Sequence, residues 1–305
     1  ATSSSVNLLP MLAKQFDEPI VDSSMIPTYL VCDLISQHCK VALGGDGGDE
    51  LFGGYKHYNR LVWLQQRLKY LPNSIKEIIS GLAELVLPYG LKGRYWLQAF
   101  NTDFKNGLPL AASFFSKKER QTMIKFELNG HHVVGCNAED IRRQQISSNS
   151  CILQRATRMD FENYLAEDIL VKVDRASMLN SLEVRSPFLD YRIIEFAFSK
   201  VHSSLKATAT NRKVLLKKLA SRVLPPNFDI QRKQGFAIPL DLWLKGPEWG
   251  DYFKQVLYDD TDSGIFDKHF IDNLLNGPTR GDINSERLFS LVLFKLWLKE
   301  YKIQF

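Results

Sequence analysis

The sequence contains no long hydrophobic run. In its 305 residues no apolar stretch approaches the roughly 18 residues that cross a bilayer, and no secretory signal is visible. A membrane-spanning helix is therefore not predicted. The first residues, Ala1-Thr2-Ser3-Ser4-Ser5, include no methionine, which is typical of a cut edge, so we expect a piece of a longer protein.

Cysteine is scarce, and its spacing is not that of a metal site. The cysteines are Cys32, Cys39, Cys136 and Cys151. None forms a CxxC pair, and the histidines at 131 and 132 have no second pair of ligands beside them. The sequence predicts no zinc site, and it predicts thiols that stay reduced in the cytoplasm.

Charge of one sign is not in strong excess. The formal net charge is +5 and the isoelectric point is near 8.9, with basic residues scattered along the chain. No basic stripe with interleaved aromatic residues is present, which argues against nucleic-acid binding. The hydrophobic content of 45% and charged content of 24% are those of a globular protein that can bury a sizeable core.

A helix, a strand and a glycine-rich loop follow one another near the start of the chain. Residues 6–20 and 27–38 have helical patterns, and residues 40–43 form a short apolar run with β-branched character. This order predicts one repeat of an α/β sheet.

Helical patterns dominate after Gly54. Further helices are predicted at 59–71, 74–87, 117–126, 152–170, 187–199, 211–223 and 285–302. In the fifth of these, Ser186 is expected to act as the cap and Pro187 to occupy the first helical position. A complete sheet needs more strands, which are either hidden in these patterns or lie outside this chain.

The loop at residues 44–54 combines glycine with acid. Six of its eleven residues are glycine, and it also carries Asp46, Asp49 and Glu50. Glycines let a backbone approach a ligand closely, and exposed N–H groups suit phosphate oxygens. Carboxylates repel phosphate unless a cation lies between them, so the loop favours a magnesium-bound phosphate chain. The alternatives are a calcium loop, whose EF-hand spacing is absent, or a plain surface turn.

The segment Leu43–Tyr55, LGGDGGDELFGGY, resembles the strand and loop of asparagine synthetases and of the related beta-lactam synthetase. Those proteins read S-G-[ED]-G-x-D-E-x-F-x-G-Y, so Gly44 stands where serine is usual. Three other segments resemble the family in the same order. They are residues 17–29, residues 172–190, and residues 232–244 with Arg232-Lys233-Gln234-Gly235-Phe236.

The resemblance implies a helix-rich α/β fold. The family's synthetase domain is a doubly wound parallel sheet of the adenine nucleotide alpha hydrolase-like, or PP-loop ATP pyrophosphatase, class. Residues 1–305 would be one such domain, incomplete at its N-terminus. The family's S-G-G-x-D-S loop and its N-terminal glutaminase domain are not found in this sequence. We therefore expect the piece alone to bind MgATP weakly and to be inactive.

The resemblance also implies an ATP-dependent carbon–nitrogen ligase. In that reaction ATP adenylates the aspartate side-chain carboxylate, and ammonia released from glutamine displaces AMP to give asparagine. The implied cofactors are ATP and Mg²⁺, and the implied partner is the glutaminase domain of the same polypeptide. A homodimer is left open.

Residue roles follow from matching positions in the family's segments. The implied catalytic residues are Asp46, as the base that takes a proton from ammonia, and Lys233, which neutralises the phosphates. Gly44 and Gly45 would touch the nucleotide through their backbones, Lys172 would reach the pyrophosphate, and Asp49 would bind the metal. Glu50 is expected to orient the loop.

Three points stay open at this stage. The stretch Asp22–Thr28 has no basic residue to hold a substrate carboxylate, so the acceptor could be a sugar acid or another metabolite. A helical scaffold without catalysis is a further alternative. The charged residues of the central segment are interpreted mainly as a buried network that holds two helices together. They are Asp174, Arg175, Glu183, Arg185 and Asp190.

Overall fold

The protein was analysed as a computed structural model. The structure describes residues 6–87, 93–109, 114–124, 127–128, 131–132, 138–146, 150–231, 235, 238–259, 265–276 and 282–303. All statements below refer to these residues.

The described chain is mostly helical. Its α-helices are α1 (Leu8–Gln15), α2 (Met25–Ser36), α3 (Gly48–Phe52), α4 (Lys56–Leu68), α5 (Asn73–Val86), α6 (Arg94–Gln98), α7 (Lys117–Met123), α8 (Ala138–Gln144), α9 (Ile152–Met159), α10 (Leu170–Met178), α11 (Tyr191–Ser199), α12 (Ser203–Lys206), α13 (Val214–Val223), α14 (Leu240–Leu244), α15 (Pro247–Tyr258), α16 (Lys268–Asn276) and α17 (Asp282–Glu300). Short 3₁₀ turns lie at Ala99–Asn101 and Pro187–Leu189.

Helices α9 and α10 belong to one continuous helical rod. They are joined by a π-helical segment at Asp160–Ile169, in which the backbone bonds skip one residue more than in an α-helix. Long π-helical stretches are rare and are frequent at functional sites. This segment carries Asp160, Tyr164 and Asp168, spaced four apart, so the wider turn brings their side chains toward one face.

Two strands form a small parallel sheet. Strand β1 (Val41–Leu43) pairs with β4 (Glu183–Arg185) in the register Val41↔Glu183 and Leu43↔Arg185. The connection between them is long and helical, as parallel strands require. A second, antiparallel pair joins β2 (Glu127–Leu128) to β3 (His131–His132). The carboxyl ends of β1 and β4 therefore point to the same edge, and the glycine-rich loop begins there.

The hydrophobic core has three parts. The largest packs α1 and α2 against α14–α17, with Leu9, Phe253 and Phe289 fully or almost fully buried. The second lies between α4 and α9, around Tyr58. The third packs α3 against α11. The third contains Leu51 and Phe52 of the glycine-rich loop, and Tyr55, just after the loop, packs against the second, so apolar packing fixes where the loop sits.

Most of the predicted elements are confirmed. The structure has α1, α2, β1, α4, α5, α7, α9, α13 and α17 where helices and a strand were predicted, with ends that differ by a few residues. Strand β4 was not predicted. Three residues with alternating exposure are too short to give a periodic signal, and their pairing with β1 is a long-range contact.

Two local interpretations are wrong. Ser186 precedes the 3₁₀ turn Pro187–Leu189 as its N-cap residue, with Pro187 at the start of the turn, but its side chain makes no cap hydrogen bond. Helix α11 begins only at Tyr191 and is capped by Asp190, which accepts a hydrogen bond from the Arg192 N–H at 2.9 Å. The charged residues of the central segment also do not form a buried network. Arg185 and Glu183 pair with each other on the same strand, with side chains 69% and 50% exposed. Such a pair does not lose its hydration, so it adds little to stability.

Among the described residues, no helix is long and apolar enough to cross a membrane.

Candidate active site

The acidic loop follows β1 directly. Residues 44–47 leave the strand, and α3 starts at Gly48 after Gly47 adopts a left-handed backbone with φ of 86°. The Gly44 N–H donates to the Arg185 carbonyl at 2.7 Å, so the parallel pairing extends into the loop. In open α/β sheets, ligands bind at this carboxyl edge of the strands.

Asp46 is held by Ser186, the residue that follows strand β4. The Ser186 hydroxyl donates to Asp46 Oδ2 at 3.0 Å. A Cβ atom on Gly44 would lie 2.7 Å from that same oxygen and 3.2 Å from the Ser186 hydroxyl. The serine that is usual in the family at position 44 would therefore push this carboxylate away. Glycine at 44 therefore leaves the space that the Asp46 carboxylate occupies.

Asp49 is fixed between a glycine and a lysine. Its Oδ1 lies 2.8 Å from Lys213 Nζ, and both side chains are partly exposed. The carboxylate lies directly over Gly54, where any Cβ would overlap Asp49 Oδ1 and Lys213 Cε. The Gly54 N–H also donates to the Asp49 carbonyl at 2.8 Å. A side chain at 54 is thus excluded by the ion pair itself.

The segment that carries Lys213 is bound to the loop at several points. Asn59 Nδ2 on α4 donates to the Asn211 carbonyl at 2.8 Å, and Arg212 Nη1 donates to the Gly54 carbonyl at 3.1 Å. Lys213 itself has φ of 51°, which is costly for a residue with a side chain. These bonds maintain that conformation and aim the ammonium at Asp49.

Glu50 points away from the loop and into the protein. Its side chain is only 1% exposed and accepts a hydrogen bond from the Tyr55 hydroxyl. Burial raises the pKa of Glu50, and the hydrogen bond from Tyr55 partly offsets that rise. Glu50 is therefore buried and bonded to Tyr55 at the end of the loop; its expected role in orienting the loop stays a prediction.

A layer of aromatic residues continues from Tyr55. Its ring stacks on His57 at 5.4 Å and meets Tyr164 edge-on at 5.9 Å. Asp160 accepts from the Tyr58 hydroxyl at 2.6 Å and lies 2.8 Å from His57 Nε2. The π-helical segment thus joins the base of the loop through Asp160 and Tyr164.

Lys172 lies further along the same rod. It is buried and forms an ion pair with Asp22, the residue that also accepts from the Ser24 N–H at 2.9 Å at the start of α2. Burial raises the pKa of Asp22, but the charge and hydrogen bonds of Lys172 and Ser24 outweigh it, so the net pKa is lowered. Burial and the Asp22 charge raise the pKa of Asp168 to about 6. The predicted contact of Lys172 with pyrophosphate stays a prediction.

Lys233 lies outside the described residues, as do Arg232, Gln234 and Phe236. The nearest described neighbour before it is Gln231, whose Oε1 accepts from Lys217 Nζ at 2.6 Å. Lys217 lies on α13, and Lys213 is the N-cap residue of that helix. The role of Lys233 stays a prediction.

Oxygen ligands for a hard cation are available at the loop. Asp46 and Asp49 offer carboxylates, the ligand type that Mg²⁺ prefers. The described part of the chain contains no group of three or more ligands that could hold a metal alone. The donor set therefore fits a cation that is bound by one or two carboxylates together with substrate phosphates, the arrangement usual for magnesium.

Several site residues were missed in the sequence. Ser186, Lys213, Asp22, Asp160 and Asp168 contact the loop or the network beneath it. Ser186 was noticed but assigned to a helix cap. For Asp160 and Asp168 the signal was present as acids in an otherwise amphipathic helix, where each needs a partner.

Fold and loop together define a parallel-stranded α/β protein with an acidic, glycine-rich ligand loop at the strand ends. A family model described as asparagine synthase matches residues 2–299. The chain belongs to the asparagine synthase family.

Individual relatives of the chain carry names of the same family. The chain is 28% identical over 296 residues to asparagine synthetase [glutamine-hydrolyzing] 1 of Bacillus subtilis, covering 96% of this chain and 45% of that protein. It is 28% identical over 296 residues to a putative asparagine synthetase of Mycobacterium tuberculosis H37Rv, covering 96% and 44%. A putative asparagine synthetase 2 of Methanocaldococcus jannaschii is 31% identical over 175 residues, 54% of this chain and 30% of that protein.

The chain thus spans less than half the length of the Bacillus subtilis and Mycobacterium tuberculosis relatives, although almost all of this chain is aligned with them. It matches their C-terminal synthetase part.

Replacement of Gly54 by alanine should separate Asp49 from Lys213. Because the new methyl group occupies the place of the carboxylate, we expect Gly54→Ala to lower the free energy of unfolding by about 1–3 kcal/mol. Gly81 is the matched control, since a Cβ there meets nothing within 4 Å in the middle of α5. Gly81→Ala should raise stability by up to about 1 kcal/mol. Urea unfolding measures both, and equal effects would contradict the account of Gly54.

Asp168 should make stability depend on pH. Its folded pKa of about 6 is above the usual value of 3.8, so its protonated form contributes stability that is present below about pH 4 and is lost as pH rises through 6. Asp168→Asn mimics the protonated acid. The variant should match the parent near pH 4 and exceed it at pH 8 by about 1–2 kcal/mol, a figure reduced for solvent screening.

The exposed residue Asp33 on α2 supplies the control for that comparison. Asp33→Asn should change the free energy of unfolding equally at both pH values. If Asp168→Asn also changes the free energy of unfolding equally at both pH values, Asp168 is not the buried acid described above.

Proposed function

We propose that this chain is the synthetase part of a glutamine-dependent asparagine synthetase, an ATP-dependent amide ligase. The observation that carries the proposal is the loop itself. Asp46 and Asp49 stand at the carboxyl edge of a parallel strand pair, held by Ser186 and Lys213, in a chain of the asparagine synthase family. The glutamine-hydrolysing relatives supply the class of reaction.

The first step brings two anions together, a carboxylate and a triphosphate. Attack of the carboxylate oxygen on the α-phosphorus forms the acyl-adenylate and releases pyrophosphate. Lys213 and Lys233 neutralise the charge that develops on the phosphates. The backbones of Gly44 and Gly45 are the proposed contacts for the nucleotide, although the Gly44 N–H itself donates to the Arg185 carbonyl. A magnesium ion held by Asp49 supplies charge neutralisation at the pyrophosphate when bound.

In the second step ammonia attacks the acyl carbon and AMP leaves. The nitrogen must lose a proton, and Asp46 is the carboxylate that we propose to take it. The hydrogen bond from Ser186 orients this carboxylate. Lys172, paired with Asp22, is the proposed contact for the pyrophosphate released in the first step.

The reaction belongs to a longer polypeptide. The chain covers 45% of the length of its Bacillus subtilis relative, and we propose that a glutaminase part supplies ammonia. The exposed apolar residues of β1 support a further layer packed on this sheet: Val41 is 52% and Leu43 is 77% exposed. Parallel sheets are normally covered on both faces. ATP and glutamine as substrates point to the cytoplasm, and a homodimer stays a prediction.

A different acceptor is the second candidate. The stretch Asp22–Thr28 carries no cation, and its Asp22 is already committed to Lys172. The carboxylate by which an aspartate substrate would be held therefore finds no basic partner in this stretch. This favours a different acceptor, such as a sugar acid or another metabolite with a carboxylate that reacts. Formation of AMP and pyrophosphate with a panel of carboxylates, with ammonia supplied directly, distinguishes the two acceptors. A scaffold without catalysis would release neither product with any acceptor.

Two loop variants should show which step of the reaction each aspartate serves. Asp46→Asn should lower ammonia-dependent amide formation by about 10²-fold or more, while exchange of labelled pyrophosphate into ATP persists, because only the proton acceptor is lost. Asp49→Asn should lower both and raise the magnesium concentration required for half-maximal exchange. Both rates are measured on the polypeptide that includes the glutaminase part.

Asp33→Asn is the control for these variants, since Asp33 is exposed on α2. Loss of both activities in Asp46→Asn, or neither in Asp49→Asn, would contradict the assigned roles.

A further inference from the structure

Lys213 lies against the acid that is proposed to bind the metal. Its Nζ is 2.8 Å from Asp49 Oδ1, and the two side chains are 33% and 23% exposed. Charges that are partly withdrawn from water are screened less than charges on the open surface. Asp49 therefore already has a cation of its own, supplied by the chain.

The carboxylate of Asp49 cannot move aside to take a second cation. A Cβ on Gly54 would overlap both Asp49 Oδ1 and Lys213 Cε, so the two side chains pack directly over that glycine. The Gly54 N–H donates to the Asp49 carbonyl at 2.8 Å, and Arg212 Nη1 donates to the Gly54 carbonyl at 3.1 Å. The acid is thus fixed to the loop, and an ion that binds Oδ1 has to take the place of the ammonium.

The ammonium of Lys213 can leave while its backbone stays in place. The contacts that hold this part of the chain do not involve the ammonium: Asn59 Nδ2 donates to the Asn211 carbonyl at 2.8 Å, and Arg212 reaches Gly54. A lysine carries a compact charge on a flexible stem of four carbons. Rotation of that stem releases Asp49 without moving the start of α13.

We propose that Lys213 is a resident counter-cation of Asp49, which a divalent metal ion has to displace. In the metal-free protein the ammonium neutralises Asp49. Because like charges at contact distance repel, the ammonium leaves that oxygen when a divalent ion binds there. The inference rests on the proposed function, since it takes Asp49 as the metal ligand.

Displacement makes the site favour a metal–triphosphate over the metal alone. A metal ion without nucleotide gains Asp49 but leaves the ammonium without an anion. A metal that arrives with a triphosphate brings phosphate oxygens, with which the released ammonium forms charge-assisted hydrogen bonds. Lys213 therefore couples the binding of metal to the binding of nucleotide.

Manganese binding tests this proposal without catalysis. Mn²⁺ prefers the same oxygen ligands as Mg²⁺, and the loss of its free-ion signal in electron paramagnetic resonance reports binding. It is titrated, without nucleotide, into the polypeptide that includes the glutaminase part. Lys213→Met should bind Mn²⁺ about 10-fold more tightly than the parent, because the resident cation is gone.

Lys217→Met is the matched control. Lys217 also belongs to α13, and its Nζ donates to Gln231 Oε1 at 2.6 Å. The variant removes the same charge from the same helix, so its affinity for Mn²⁺ should stay within about 2-fold of the parent. Equal affinity in Lys213→Met and the parent, or an equal gain in both variants, would overturn the proposal.

Asp49→Asn separates this inference from the proposed function. If it weakens Mn²⁺ binding while Lys213→Met changes nothing, Asp49 binds the metal and only the displacement of Lys213 is refuted. If Asp49→Asn leaves Mn²⁺ binding unchanged, the metal ligand and the displacement are both refuted. Exchange of pyrophosphate into ATP then still decides whether the protein forms an adenylate.

A measurement on the parent protein covers the case in which Lys213→Met does not fold. Lysines are acetylated with an N-hydroxysuccinimide ester, with and without saturating Mn²⁺, and quantified by peptide mass spectrometry. Addition of the metal should raise the rate at Lys213 by at least about 2-fold and leave the rate at Lys217 unchanged. An unchanged or lower rate at Lys213 would show that the ammonium stays on Asp49.

Discussion

The ion pair between Asp49 and Lys213 is the contact on which the candidate site depends. It connects α3 to α13 across a place where only glycine fits, because the Asp49 carboxylate occupies the space of a Cβ at Gly54. Lys213 keeps an unfavourable backbone conformation to make it. Strain of this kind persists only when surrounding bonds enforce it, and Asn59 and Arg212 supply those bonds.

A second constraint comes from the π-helical segment. By widening the helical turn between α9 and α10, it directs Asp160 and Tyr164 to the aromatic layer under the loop and Asp168 to Asp22. Glu50 and Asp160 are satisfied by hydroxyl donors, and Asp22 by Lys172. The acids beneath the loop thus have hydrogen-bond or ion-pair partners, while Asp46, bonded to Ser186, and Asp49, paired with Lys213, lie at the strand-end edge.

The sequence predicts the local parts of this arrangement and not its long-range ones. The helices and β1 follow from apolar periodicity, and the loop follows from its glycines and acids. Strand β4, the π-helical segment and the pairing of Lys213 with Asp49 depend on contacts between distant residues, which no local pattern encodes. Ser186 illustrates the limit: a serine before a proline predicts a helix cap, yet its hydroxyl binds Asp46 from the next strand. The roles of Asp46, Asp49, Lys172 and Lys233 stay predictions.

The central claim is that the acidic loop activates a carboxylate by adenylation. The most direct measurement uses aspartate labelled with ¹⁸O in its side-chain carboxylate, together with ATP, magnesium and ammonia, on the polypeptide that includes the glutaminase part. Transfer of one labelled oxygen to AMP is expected, since that oxygen bridges the acyl carbon and the α-phosphorus. Label in inorganic phosphate with formation of ADP, or unlabelled AMP beside labelled amide, would contradict the account.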